Sequence, residues 1–338
     1  MPSNIGLYFV LSNLKLLNAN GSELSREQLL KLWDFYNLLK GSNTSSFIHR
    51  GDSDKNLRRQ FNVDTGTPGV LAECLFMTGV KGKMCWTEDG GFNPDDYSTE
   101  NFVNICRSLV NYIDNGLNAR GNKSRRIKAF CENNVTFCKR IRNVTALVKI
   151  YEKLGPEDKK EVSLNYLALA HTINDPTYCE ASGLVSTTTN PREAARFFRS
   201  ICIYGWVPRN TEWSRNLART IDFVDINNDM EDIKQTGLPY YEIPVYPSQK
   251  EIALRCGFLP HFMIGFTVGK NFYVNPAIFA AIDKMREKTS FRELSDYKKR
   301  LQWFGLEIDQ QNFVEFIRKT NFKRYYTFDG TEYAMYKI

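Results

Sequence analysis

Three short stretches of the chain hold side chains whose types and spacing suit chemistry. In Phe47-Ile48-His49-Arg50-Gly51 a short apolar run ends on an arginine, just before the turn residues Gly51, Asp52 and Asp54. An arginine where a strand gives way to a loop can reach a bound phosphate, and it can equally form an ordinary surface ion pair. In Gly183-Leu184-Val185-Ser186-Thr187-Thr188-Thr189-Asn190-Pro191-Arg192-Glu193 an apolar run meets a cluster of hydroxyls. A helix is then predicted to open with Asn190 as N-cap, Pro191 in the first turn and Glu193 closing a capping box. Backbone donors and hydroxyls at such a junction can face an anion, although the same residues also serve a plain strand, loop and helix start. In Tyr246-Pro247-Ser248-Gln249-Lys250-Glu251-Ile252-Ala253-Leu254 a carboxylate opens a predicted strand. Gln249 lies two residues earlier, and in an extended segment its side chain and that of Glu251 point to one face.

Taken in this order, the three stretches resemble the arginine, Ser-Thr-Ser and Gln-x-Glu signature of the mono-ADP-ribosyltransferase toxins, in their Arg–Ser–Glu class. The resemblance spans Phe47 to Val268, and it departs from the pattern at the third hydroxyl, where Thr188 stands in place of serine. It implies that NAD is the substrate, with no metal, and that the bond between nicotinamide and ribose breaks through an oxocarbenium-like sugar. On that reading Glu251 stabilises the sugar cation and holds a ribose hydroxyl, the role carboxylates play in glycosidases. Arg50, with Gly51 beside it, grips the pyrophosphate side of NAD. Ser186, with Thr187 and Thr188, braces the strand and orients Glu251. Gln249, where relatives that modify arginine have glutamate, implies a protein acceptor at a side chain other than arginine. Tyr246 takes the place of an aromatic that the asparagine-specific, Rho-modifying exoenzymes carry before the pair. It is assigned to acceptor recognition, with a packed turn tyrosine as the plain alternative. The resemblance further implies a bacterial toxin or effector acting in a host cytosol.

The elements that must position these residues are legible in part. Ser25 to Gln28 reads as a capping box before the apolar stripe Leu29, Leu32, Trp33, Phe35, Tyr36 and Leu39, with Gly41 as the stop. That aromatic face reads as core. A helix is predicted after Ser98, with Phe102, Ile105, Leu109 and Ile113 on one face and Gly116 at its end, followed by helical segments over 124–154 and 156–171. From Gly183 onward the texture turns to strands, expected at 201–207, 220–224, 241–246, 251–254 and 263–268; from Pro276 to Lys319 it is helical again. Asp225 to Asp229 hints at a calcium loop, but Met230 and Thr236 stand where glycine and glutamate are needed, so calcium is rejected. With no glycine-rich dinucleotide motif, NAD would not be held by a doubly wound fold.

The expected fold class is α+β, an ADP-ribosyltransferase-like split β-sandwich core with helical N-terminal, inserted and C-terminal segments. The expected organisation is an N-terminal helical segment over 1–45, a catalytic domain over 46–275 with a helical insertion over about 97–171, and a C-terminal helical segment over 276–338.

Composition bounds this reading. With 338 residues, 42% apolar and 25% charged, the chain can bury a large core and does not have the make-up of a disordered protein. No apolar run has the length of a membrane span, and no signal peptide is evident at Met1, so a cytosolic protein, or one exported by a specialised system, is expected. Eight scattered cysteines read as reduced thiols, and three histidines, His49, His171 and His261, argue against a histidine-rich metal site. The formal charge of +7 is densest at Lys123, Arg125, Arg126, Lys128, Lys139, Arg140 and Arg142. That spacing suits a solvated helix face better than a nucleic-acid groove. It leaves two alternatives to the transferase: a non-catalytic helical protein whose basic face binds an acidic partner, and an NAD glycohydrolase using the same site.

Overall fold

A computed structural model describes residues 2–41, 45–82, 85, 96–173, 183–193, 200–208, 223–225, 230–309, 313–322, 324–328 and 333–337. The chain mixes helices with a mostly antiparallel sheet and forms two compact units. Met1–Lys81, Thr187–Phe223 and Gly257–Ile338 make the first, and Gly82–Ser186 with Val224–Cys256 make the second. These units cut the chain differently from the boundaries at 45 and 275 expected above, because the N-terminal and C-terminal helices share one core with the strands between them. Among the described residues no helix is long and apolar enough to cross a membrane.

The first unit opens with helix α1 (Pro2–Asn13), strand β1 (Lys15–Leu17), α2 (Arg26–Gly41), β2 (Ser45–Asp52), α3 (Asp54–Phe61), α4 (Pro68–Thr78) and β3 (Val80–Lys81). The box before α2 closes reciprocally: the Gln28 amide donates to Ser25 Oγ at 3.2 Å and the Ser25 amide to Gln28 Oε1 at 2.9 Å. Later strands are β5 (Ile201–Pro208), β8 (Gly257–Phe258), β9 (Met263–Val268) and β10 (Asn271–Val274), with helices at Ala277–Arg286, Phe291–Phe304 and Phe313–Arg318 and the hairpin Arg324–Phe328 with Tyr333–Lys337. The sheet of this unit runs β1, β10, β9, β5, β2, and only the β1–β10 pair is parallel. Its spine is β2 against β5, in register from Ser45↔Pro208 to Asp52↔Ile201. Gly205 marks a register shift in β5, and a side chain there would collide with the Phe262 carbonyl, 2.0 Å from an ideal Cβ. The aromatic face of α2 is core as expected: Phe35 meets Trp206 edge-on at 5.4 Å, and Tyr36 stacks on Phe47 at 5.8 Å.

The second unit is a helical body with strands at one side. It contains α5 (Thr99–Asn118), α6 (Asn122–Asn133), α7 (Val135–Arg140), α8 (Val144–Tyr151), α9 (Pro156–Ile173), the start of β4 (Leu184–Thr188), the end of β6 (Phe223–Asp225), a short helix Met230–Gln235, and β7 (Glu251–Arg255). Here β7 lies between β4 and β6. Ser98 caps α5 by accepting the Asn101 amide. The sequence stops this helix at Gly116, whereas it runs to Asn118, because Gly116 is a contact glycine: an added Cβ would stand 2.6 Å from Ile127 Cγ1 of α6. The segment expected as one helical stretch over 124–154 is three helices, broken at Asn134 and before Val144. Helix α9 is buried on nearly every side from Val162 to Ile173, which makes it the axis of the unit. Around it Phe102 stacks flat on Tyr151 with centroids 3.9 Å apart, and Tyr166 donates its hydroxyl to the Pro239 carbonyl at 2.7 Å.

The strand expected over 241–246 is absent, and the chain there turns instead. Pro244 has no amide to give a ladder, and the neighbouring backbone is satisfied by one side chain. Asn134 Oδ1 accepts the amides of Glu242 at 2.7 Å and Ile243 at 3.2 Å, while its Nδ2 donates to the Ile243 carbonyl at 2.8 Å. Asn134 is itself buried. Replacing it by alanine strands these backbone groups, so Asn134→Ala is expected to lower unfolding free energy by about 2–4 kcal/mol, measured by urea denaturation. A loss under about 0.5 kcal/mol, the range of ordinary surface changes, would refute the clamp.

Candidate functional site

The candidate residues divide between the two units, and each group is built by its own elements. In the second unit three side chains converge. Glu251 is the first residue of β7, and its place is set by the turn before it: Pro247 opens a 3-10 turn to Gln249, the Gln249 amide donates to the Tyr246 carbonyl at 3.0 Å, and Lys250 takes a left-handed φ of 46°. Ser186 lies in the middle of β4. His171 lies in the last turn of α9, where the helix dipole favours a cation.

His171 Nε2 and Ser186 Oγ are hydrogen-bonded at 2.6 Å. The same nitrogen stands 3.9 Å from Glu251 Oε1, at ion-pair rather than hydrogen-bond distance, with the two side chains 14% and 9% exposed. A histidine thus adjoins both the hydroxyl and the carboxylate that the sequence singles out. In a serine hydrolase the acid holds the ring nitrogen opposite the one that faces the serine. Here hydroxyl and carboxylate face the same nitrogen, which suits the imidazole to fixing a carboxylate rather than to relaying a proton to an attacking serine.

His171 was legible in the sequence only as one of three histidines at the end of a predicted helix. No spacing rule ties a helix C-terminus to a serine 15 residues on. The expectation that Gln249 and Glu251 share one face of an extended segment is corrected. Gln249 belongs to the 3-10 turn, and the left-handed Lys250 separates it from the strand, so strand alternation does not relate the two. Tyr246, at the start of this turn, is half-buried, and the Arg126 guanidinium of α6 lies over its ring at 4.8 Å, a cation–π contact.

In the first unit Arg50 and Gly51 lie within β2, which continues to Asp52, two residues past the expected end. Arg50 Nε donates to Asp52 Oδ2 at 3.0 Å. Asp52 in turn accepts the Ser53 amide and the Asn56 side chain, both at 2.8 Å, so the carboxylate that holds the arginine is itself fixed at the start of α3. Thr187 and Thr188 are buried, and His49 of β2 pairs with Thr188 in antiparallel register. Thr188 Oγ1 accepts the Asn190 amide at 2.8 Å, and Asn190 Oδ1 accepts the Arg192 amide at 3.1 Å, the second being the bond expected of Asn190 as an N-cap. Residues 194–199, with most of the expected helix, lie outside the described residues, as does most of the loop considered for calcium.

The hydrogen bond between His171 and Ser186 is testable apart from any activity. A double-mutant cycle on folding stability with His171→Ala and Ser186→Ala should give a coupling of about 1 kcal/mol. Additivity within about 0.3 kcal/mol would show that the contact does not form. Compared with known proteins, the chain matches no family model, no curated protein and no solved structure.

Proposed function

We propose that the protein is a mono-ADP-ribosyltransferase that cleaves NAD and transfers ADP-ribose to a protein acceptor, at a side chain other than arginine, on an ADP-ribosyltransferase-like core. The observation that carries this reading is the setting of Glu251, a buried carboxylate at the opening of β7 beside the His171–Ser186 pair. The C1′–N bond of NAD breaks with its electron pair leaving on nicotinamide. The acceptor then bonds to C1′ and gives up its proton. The Glu251 carboxylate supplies negative charge beside the cation that exists only between those events, and a carboxylate with little freedom to reorient does so at the least reorganisation. His171, 3.9 Å from Glu251 Oε1 and hydrogen-bonded to Ser186, is assigned to orient it. Arg50, held from one side by Asp52, is assigned the pyrophosphate, for which a guanidinium suits bidentate contact. Gln249 and Tyr246, on the turn that leads into Glu251, are assigned to the acceptor. The reading carries with it a bacterial effector acting in a host cytosol.

A second reading, a non-catalytic protein whose basic face binds an acidic partner, is favoured by one observation. Arg125, Arg126, Lys128, Lys139 and Arg140 are all exposed on α6 and α7. Incubation with labelled NAD and a cell extract separates the two. The wild-type protein should label a protein and release nicotinamide, Glu251→Gln should lower the rate by about 10²–10³-fold, and the double variant Arg125→Glu, Lys128→Glu should still release nicotinamide. Nicotinamide without labelled protein would make water the acceptor. Neither product, with partner binding lost in the charge-reversed variant alone, would establish the second reading.

A further inference from the structure

The stretch from Gly237 to Tyr246 lies along α6 and α7 and is tied to them at three points. At one end Arg140 Nη2 donates to the Gly237 carbonyl at 2.6 Å, and at the other the Arg126 guanidinium covers the Tyr246 ring at 4.8 Å. Between them Asn134 holds the backbone of Glu242 and Ile243. This middle tie brings two aliphatic side chains to the surface at one place: Val135, the residue after Asn134, is 65% exposed, and Ile243 is 41% exposed. Among the described residues of the second unit these are the two exposed large apolar side chains.

Cations surround them. Lys139 follows Val135 by one turn of α7 and shares its face, while Phe137 is buried on the other. Arg126 and Lys128 are exposed on α6, Arg140 on α7, and Lys234 on the short helix before Gly237, its ammonium 5.4 Å from the centre of the Tyr240 ring. Glu132 and Glu242 are also exposed here, so the described side chains of the strip set five cations against two carboxylates. Arg126 and Arg140 are committed to the ties. The ammonium groups of Lys128 and Lys139 make no hydrogen bond or ion pair with any described residue.

A lipid headgroup region accommodates this mixture, because its phosphates meet the cations while aliphatic groups reach the acyl boundary. A stable protein partner needs a broad complementary patch with large anchors at its centre, which two aliphatic side chains do not supply. Single-stranded nucleic acid stacks its bases on open aromatic rings, and the rings of Tyr240 and Tyr246 are each covered by a cation instead.

We propose that this strip, from Lys234 across Ile243 and Val135 to Lys128, docks the protein on an anionic bilayer surface, with the two aliphatic side chains entering the headgroup region. Tyr246 belongs to the turn before Glu251, so docking sets that turn close to the lipid. The proposal does not depend on the transferase reading, because binding is read without NAD.

The experiment floats the full chain with vesicles of phosphatidylcholine alone and with vesicles containing roughly a third phosphatidylserine. The wild-type protein should rise with the anionic vesicles only, and its binding should fall as salt is raised. Lys128→Glu combined with Lys139→Glu should weaken binding at least about tenfold. Val135→Ser combined with Ile243→Ser leaves the charge unchanged and should still weaken binding by about threefold or more. All four positions are exposed, and an unchanged urea midpoint shows that each variant is folded. Failure to float with either vesicle would overturn the proposal, as would equal flotation of the double serine variant and the wild type, which would reduce the strip to bare charge. Retention on immobilised polyglutamate without flotation would also overturn it, and would give the face to an acidic protein.

Discussion

Taking a carboxylate out of water costs several kcal/mol unless charge and hydrogen bonds replace its hydration. Glu251 is buried, so its position is set by neighbours rather than by solvent. Each neighbour is held by a different part of the second unit. The left-handed Lys250 ends one turn and starts the strand that carries the carboxylate. The end of α9 brings His171, and that helix cannot slide because it is packed along nearly its whole length. The paired strand β4 brings Ser186. A helix, a strand and a turn, far apart in sequence, thus meet at one buried carboxylate, with His171 of α9 standing 3.9 Å from Glu251 Oε1 and hydrogen-bonded to Ser186 of β4.

The first unit treats its charge in the opposite way. Arg50 faces a carboxylate two residues along its own strand, and that carboxylate is pinned by the first turn of α3. A local pair of this kind contributes little to stability when partly exposed. What it does is limit the rotamers of a long side chain at a strand end. The register of β2 with β5, unbroken over the whole of β2, carries that limit to the backbone, so the arginine begins from a fixed place.

How much of this could be read in advance depended on whether the cause was local. The Ser25–Gln28 box, the Ser98 cap, the span of β9 and the opening of β7 at Glu251 are all set by neighbours in sequence, and the residues announce them. The segment 241–246 has the content of a strand, yet a side chain more than 100 residues away supplies its hydrogen bonds. Gly116 looks like a helix stop, but it is small because another helix passes against it. His171 is marked in the sequence only as a histidine at the end of a predicted helix, since its partners are defined only once α9 and the two strands are packed. Gln249 was misplaced for a local reason: an x-Pro-x-x run before a strand starts a turn as readily as it extends one.

The basic helix face and the turn that leads to Glu251 are not independent surfaces. Arg126 lies on the Tyr246 ring, so part of the positive charge on α6 is committed to holding the residues that precede the carboxylate. Arg125 has a different role, its guanidinium donating back along α6 to Asn122 Oδ1 at 2.9 Å. Reversing the charge at Arg126 would therefore disturb the turn as well as the face, and lost activity there would point to neither. Reversing it at Arg125 and Lys128, which are exposed, alters the face and leaves the cover on Tyr246 in place. A basic face that serves only to bind needs no link to the turn before Glu251, whereas a transferase needs an acceptor brought to that turn. The stacked guanidinium is such a link, and it favours reading the face and the carboxylate as parts of one device.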